Sequence, residues 1–218
     1  MSIGFSVPGL EDDQAEKIRT RLQERLNALI DLGLTLKHIH WNVVGPSFIG
    51  VHEMLDPQYE AVQAMVDEVA ERIATLGGSP VGTPGNIVAE RSWDDYSVGR
   101  AMTQEHLSAL DLVYTGVNED HRTAIQEFED EPISQDMLVA QAGQLEQFQW
   151  FVRAHLEDGT GRLLNEGATT EDEAVAKASQ QSPPAQASKS KEQAPADAAA
   201  GDASPGKKRT LRKAGAKR

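Results

Sequence analysis

His52 and Asp56 stand four residues apart, and so do Asp67 and Glu71. On a helix each pair shares one face. The eleven residues from Asp56 to Asp67 make almost three turns, so all four side chains fall in one stripe. Imidazole and carboxylate donors without thiolate suit iron, manganese or zinc. The chain has no cysteine, which excludes thiolate metal sites and disulfides alike. At a rise of 1.5 Å per residue, the centres of the two pairs lie roughly 22 Å apart. One metal centre therefore cannot take both pairs from one helix. Two antiparallel copies of the helix can supply it, with His52 and Asp56 of one chain facing Asp67 and Glu71 of the other. A two-fold axis then makes two identical sites. The same spacing also describes a solvated acidic stripe with an incidental histidine, and spacing by itself leaves both readings open.

The elements that must position these residues are helical. Leu22, Leu26, Leu29, Leu32 and Leu36 recur at three- and four-residue steps, which predicts a helix over residues 11–40. Glu11, Asp12 and Asp13 suit its positive end, and Gly45-Pro46 breaks the pattern. A second helix is predicted over 48–76, stopped by Gly77-Gly78-Ser79-Pro80, with Pro57 bending it or marking an early first turn. A long connection, with a short helix around 86–90, leads to a third helix over 97–130 and a fourth over 134–158. No convincing alternating strand pattern is present. Four long helices with one longer crossover predict an all-α, ferritin-like four-helix bundle. Such bundles hold an internal di-iron centre on Glu-x-x-His pairs, and this chain contains no Glu-x-x-His. Ligand pairs on an outer stripe without the internal motif point to a site between subunits.

At 218 residues the chain allows one ordinary domain plus extensions. Its start, MSIGFSVPGLEDD, has neither a basic n-region nor a long apolar run, unlike a secretory signal. No stretch reaches the roughly 18 apolar residues of a membrane span, so a cytoplasmic location is expected. The net charge of −13 conceals an asymmetry: residues 1–166 hold 28 acids and 11 bases, whereas the last twelve, KKRTLRKAGAKR, hold seven bases and no acid. Residues 1–10 read as an N-terminal segment and 11–166 as the bundle. Residues 167–218, rich in Ala, Ser, Pro and Gln, read as a disordered tail that cannot offset its ordering entropy. The basic end has no aromatic for base stacking and no reading motif, so any nucleic-acid contact through it is expected to be non-specific.

The runs "LKHIHWNVVGPSFIGVHEMLD" and "DEVAERIATLGG" resemble the Dps family, the DNA-binding proteins from starved cells, which are miniature ferritins. The resemblance covers roughly residues 5–160 and is greatest to the actinobacterial branch with a basic C-terminal tail. It implies a hollow homo-dodecamer, cytoplasmic and nucleoid-associated, that counters oxidative stress by oxidising Fe(II), commonly with hydrogen peroxide. Such a shell stores ferric iron inside and condenses DNA. It also implies ferroxidase ligands at His40, His52 and Asp56 of one subunit with Asp67 and Glu71 of its two-fold mate, and a radical-intercepting tryptophan at Trp41. All five ligand positions hold the expected residue types. Many members carry a lysine-rich N-terminal arm, but residues 1–10 here contain no base. DNA contact is then expected from Lys207, Lys208, Arg209, Arg212, Lys213, Lys217 and Arg218, with Arg19, Arg21 and Arg25 of the body as the alternative.

Other residues invite plainer readings. His38 is turned about 200° from His40 on a helix and should face elsewhere. His106, His121 and His155 lack carboxylates at metal spacing, and Trp93, Trp150, Phe148 and Phe151 read as packing residues. Six acids crowd "NEDHRTAIQEFEDE". Such a run is usually a solvated face, yet around a three-fold axis Glu119, Asp120, Glu127 and Asp130 could focus cations into an iron-entry pore. Beside the iron-oxidising reading stand two others. One is a DNA-compacting structural protein with a vestigial metal site, and the other is an assembly tied together by zinc at the same residues.

Overall fold

The computed structural model describes residues 7–181. Its helices are α1 (Asp12–Asn42), α2 (Phe48–Thr75), α3 (Pro84–Glu90), α4 (Thr103–Glu127), α5 (Pro132–Leu156) and α6 (Glu171–Gln181). Two-residue strands β1 (Val43–Val44) and β2 (Ala101–Met102) follow α1 and precede α4. His40 meets His52 at one end of the α1–α2 pair and Arg19 reaches the Leu76 carbonyl at the other, so the two helices run antiparallel. The pair α4–α5 is antiparallel too, with Gln135 reaching the Ile125 carbonyl near the turn and Arg153 reaching Asp111 far from it. No helix among the described residues is long and apolar enough to cross a membrane.

One core joins all four long helices. Leu22, Leu29 and Leu36 of α1 meet Leu55, Val62 and Val69 of α2, Leu107, Leu110 and Tyr114 of α4, and Leu138, Leu145 and Val152 of α5. Each such side chain contributes about 1.5–3 kcal/mol by leaving water. On α2 the buried residues Leu55, Val62 and Val69 recur at seven-residue steps, which leaves Asp67 and Glu71 exposed on another face. The helix runs through Pro57 without a break. Its end is fixed by glycine. Gly77 adopts φ 78°, a conformation costly for other residues. The Gly77 N–H then reaches the Ala74 carbonyl at 2.9 Å and the Gly78 N–H the Ile73 carbonyl at 2.8 Å, which closes the helix in a Schellman motif.

Two segments depart from the sequence expectation. Helix α4 starts at Thr103 rather than near Ser97, because the chain before it joins a parallel clip that pairs Val43 with Ala101 and Val44 with Met102. This clip fastens the crossover to the end of α1. The second departure lies within 167–218, expected to be a disordered tail: residues 171–181 form α6. Ala174 and Ala178, one turn apart, are fully buried, and Glu171 accepts hydrogen bonds at 2.8 Å from both the N–H and the hydroxyl of Ser97. Two alanines are a small apolar face, and polar anchors supplement it. Trp150 also differs from the packing role expected of it, at 62% exposed on the outer face of α5.

Candidate metal centre

The last turns of α1 and the first turns of α2 bring His40, His52 and Asp56 together. The two imidazole rings stack with centroids 3.6 Å apart at 22°. His40 Nδ1 lies 3.0 Å from the His52 carbonyl, and His52 Nδ1 lies 2.9 Å from the His40 carbonyl. A carbonyl can only accept, so both Nδ1 atoms carry the proton and both Nε2 atoms keep their lone pairs. This reciprocal pairing fixes the tautomer that a metal ligand needs. Asp56 Oδ1 lies 3.3 Å from His40 Nδ1 and accepts a 2.8 Å hydrogen bond from Lys37 Nζ. The hydrogen bond from the Lys37 ammonium holds the Asp56 carboxyl below the usual range, against an opposing effect of desolvation.

Asp67 and Glu71 stand farther along the same continuous helix, exposed, and do not join the other three. Among the described residues no group of three or more ligating side chains within this single chain could hold a metal ion. The chain thus carries a stacked imidazole pair with Asp56 against His40, and a separate carboxylate pair. Either could serve as part of a hard-cation site, and neither is complete. Trp41 projects beside the cluster at 72% exposed, with Leu34 and Ile49 also open at 62% and 58%.

Sequence reasoning missed Lys37. Its signal was present, since Lys37 precedes His40 by three residues and so lies on the same helix face. His38 does face elsewhere: its Nε2 donates to the Val98 carbonyl at 2.9 Å and its ring meets Tyr96. His106 and His121 are buried, and His155 is exposed with Nδ1 donating to the Phe151 carbonyl. The Trp93 indole N–H donates to Asp31 at 2.8 Å.

The pore candidates divide. Asp120 pairs with Arg25 at 2.9 Å and Glu127 with Arg21 at 3.0 Å, while Glu119 and Asp130 are exposed. The same pairs bear on the alternative DNA contacts. Arg25 is fully buried, Arg21 pairs with Glu24 and Glu127, and Arg19 is held by Glu16 and the Leu76 carbonyl. None of the three is a free surface base. Lys207–Arg218 lies outside the described residues.

An antiparallel four-helix bundle with a short crossover helix is the ferritin-like architecture, and residues 19–161 match the Ferritin-like domain family. Over 179 residues the chain is 60% identical to the DNA protection during starvation protein of Mycolicibacterium smegmatis, covering 82% of this chain and 98% of that one. Among solved structures, the tetragonal form of Mycobacterium smegmatis Dps is similar with a TM-score of 0.73 and 61% identity, covering 73% of this chain and 98% of that chain. A Dps of Streptomyces coelicolor is similar with a TM-score of 0.73 and 57% identity, covering 75% of this chain and 98% of that chain. The chain belongs to the Dps family of DNA protection during starvation proteins.

Proposed function

We propose that this protein oxidises Fe(II) at sites shared between two subunits, stores the ferric product within a dodecameric shell, and binds DNA non-specifically through its basic C-terminal end. The observation that carries the reading is a pair of incomplete clusters along α2, the first of which also takes His40 from α1. His40, His52 and Asp56 have fixed tautomers and a positioned carboxylate, yet they lack the second carboxylate pair, which the same helix holds exposed too far away to help. An antiparallel mate supplies Asp67 and Glu71 to that cluster. Exposed Leu34, Trp41 and Ile49 nearby provide apolar surface for the mate to cover.

Two Fe(II) ions held together can each give one electron to hydrogen peroxide, so the O–O bond breaks in a two-electron step that releases hydroxide and no hydroxyl radical. The residues of this chain serve that step by ligation. The Nε2 lone pairs and the carboxylates bind the substrate cations, and the Nδ1–carbonyl bonds keep the rings from rotating. Exposed acids at Glu119 and Asp130 favour cation entry if a three-fold axis gathers them, with Asp120 and Glu127 partly neutralised by arginine. The seven bases of Lys207–Arg218, presented many times over on one shell, would hold the phosphate backbone by avidity and counterion release. The protein is then cytoplasmic and associated with the nucleoid.

Subunit mixing tests the shared site. His52→Ala and Asp67→Ala shells are each expected to be inactive. Shells co-assembled from both variants should regain Fe(II) oxidation, because a mixed dimer keeps one of its two sites whole. Co-assembled shells that stay inactive, while wild-type subunits restore turnover, would refute a site built from two chains.

A further inference from the structure

Tyr96 lies in the crossover, against His38 of α1. Its ring meets the His38 ring edge-on at 5.7 Å and is nearly parallel to the His106 ring at 6.1 Å. The phenol hydroxyl is 3.1 Å from His106 Nδ1 and 3.3 Å from the His106 carbonyl. His106 Nε2 is buried and has no hydrogen-bond partner among the described residues, and in the tautomer with the ring proton there Nδ1 accepts from the phenol. We propose that Tyr96 and His106 form a proton-coupled electron relay, in which the phenol surrenders an electron to a one-electron oxidant as its proton passes to His106 Nδ1.

The surroundings single out this tyrosine among the three in the chain. The Tyr114 hydroxyl donates at 2.7 Å to the Gln58 amide oxygen, which is not a base. Tyr59 carries the Lys37 ammonium 5.3 Å over its ring, and a cation there opposes removal of an electron. Tyr96 has an imidazole at its hydroxyl, and the Glu171 carboxylate acts on it electrostatically, which favours removal of an electron. Burial, then Glu171, raises the Tyr96 pKa well above its ordinary value, so the phenol is protonated at neutral pH. Electron loss without proton loss would leave a cation in a buried site. Burial chiefly lowers the His106 pKa to about 4, so the imidazole is neutral and free to take the proton.

The step balances with a hydroxyl radical as oxidant, formed when a single unpaired Fe(II) meets peroxide. The Tyr96 O–H bond breaks, its proton forms an N–H bond at His106 Nδ1, and the electron reduces the radical to hydroxide. A neutral phenoxyl and an imidazolium remain. A further Fe(II) returns the electron, becoming Fe(III), and His106 returns the proton. This service to iron oxidation rests on the ferroxidase reading, whereas the relay stands on its own geometry.

The test separates the two. Metal-free full-length protein is oxidised by a photogenerated ruthenium(III) tris-bipyridine, with persulfate as the electron sink, and frozen for electron paramagnetic resonance. Wild type is expected to give a tyrosyl signal with an exchangeable coupling, lost in D2O, from the imidazolium N–H. Tyr96→Phe, which keeps the ring and its packing, should lose that signal, and His106→Gln should lose the exchangeable coupling. Tyr59→Phe should retain both. A signal that survives in Tyr96→Phe, or no tyrosyl signal in wild type, overturns the relay. Fe(II) oxidation by Tyr96→Phe is expected at the wild-type rate with paired iron. A loss of radical protection there, together with an intact wild-type photo-oxidation signal, supports both readings. Inactive wild type with an intact signal removes only the ferroxidase reading.

Discussion

His40 and His52 can be set against His106 and His121. The first two lie where α1 meets α2 and donate from Nδ1 to each other's backbone carbonyl, with Asp56 and Lys37 alongside. The second two are completely buried on α4. His121 faces the Val117 carbonyl at 3.3 Å and Gln141 Oε1 at 3.4 Å, and burial, aided by the Arg25 charge, lowers its pKa to about 4. One residue type therefore does two kinds of work. A histidine whose Nδ1 is tied to a carbonyl, with a carboxylate beside it, offers Nε2 to a cation. His121, enclosed by core and amide groups, stays neutral and holds helices together.

If that division is right, the largest stability effect belongs to the buried pair. His121→Ala removes a side chain of no exposure and strands Gln141, which in turn donates to Glu68 at 2.9 Å. It should cost about 2–5 kcal/mol, as other core truncations do. His52→Ala should cost no more than about 1 kcal/mol, in keeping with a partly exposed position, while abolishing iron oxidation. Urea midpoints and Fe(II) oxidation rates for the two variants decide the matter. A stable His121→Ala beside a collapsed His52→Ala would reverse the comparison.

Acid gives a second, smaller effect of the same origin. The folded-state pKa of His121 lies below that of the unfolded chain, so between about pH 6.5 and pH 4 the unfolded chain binds the extra proton. Stability contributed by this group is whole above pH 6.5 and is lost as pH falls toward 4, to a total of about 3 kcal/mol. Glu131 adds to the loss at lower pH. Burial opposes its charge, but Ser134 and Arg72 outweigh that and set its pKa below normal, so protonation releases those bonds. Melting temperature followed from pH 8 to pH 4 should decline, and His121→Phe should flatten the part above pH 4.5. An unchanged slope in that variant would assign the acid sensitivity to other groups.

Much of this was legible in the sequence, for reasons that differ by region. The leucine repeat of α1 and the glycine stop after α2 are local signals, so those helices fall within a few residues of expectation. The separation of His52 and Asp56 from Asp67 and Glu71 was legible because a continuous helix sets distance by residue count alone. The start of α4 was not, because Ala101 and Met102 pair with Val43 and Val44, residues more than fifty positions away. Helix α6 escaped because Ala174 and Ala178 contribute little apolar area and its anchors, Ser97 and Glu105, lie far off in sequence. The reciprocal histidine bonds depend on the angle at which α1 turns into α2, which no spacing encodes. The role of the Tyr96–His106 pair depends on tertiary contact in the same way.

The smallest expected effect sharpens the comparison at its functional end. Lys37 Nζ is 2.8 Å from Asp56 Oδ1, and both side chains are partly exposed. Such an exposed pair contributes little to folding, so Lys37→Met should leave the urea midpoint almost unchanged. Its influence should be felt by a cation instead. The ammonium occupies the carboxylate oxygen that a divalent ion would use, and it must be displaced or shared when the ion arrives. Removing it should tighten binding of Co(II), by no more than about tenfold for so exposed a pair. Lys37→Arg keeps the charge and should bind Co(II) much as wild type does. Weaker binding by Lys37→Met would carry a different meaning: the ammonium would then act by aiming Asp56 at the site, and the carboxylate, unlike the two locked imidazoles, would depend on a flexible side chain for its place.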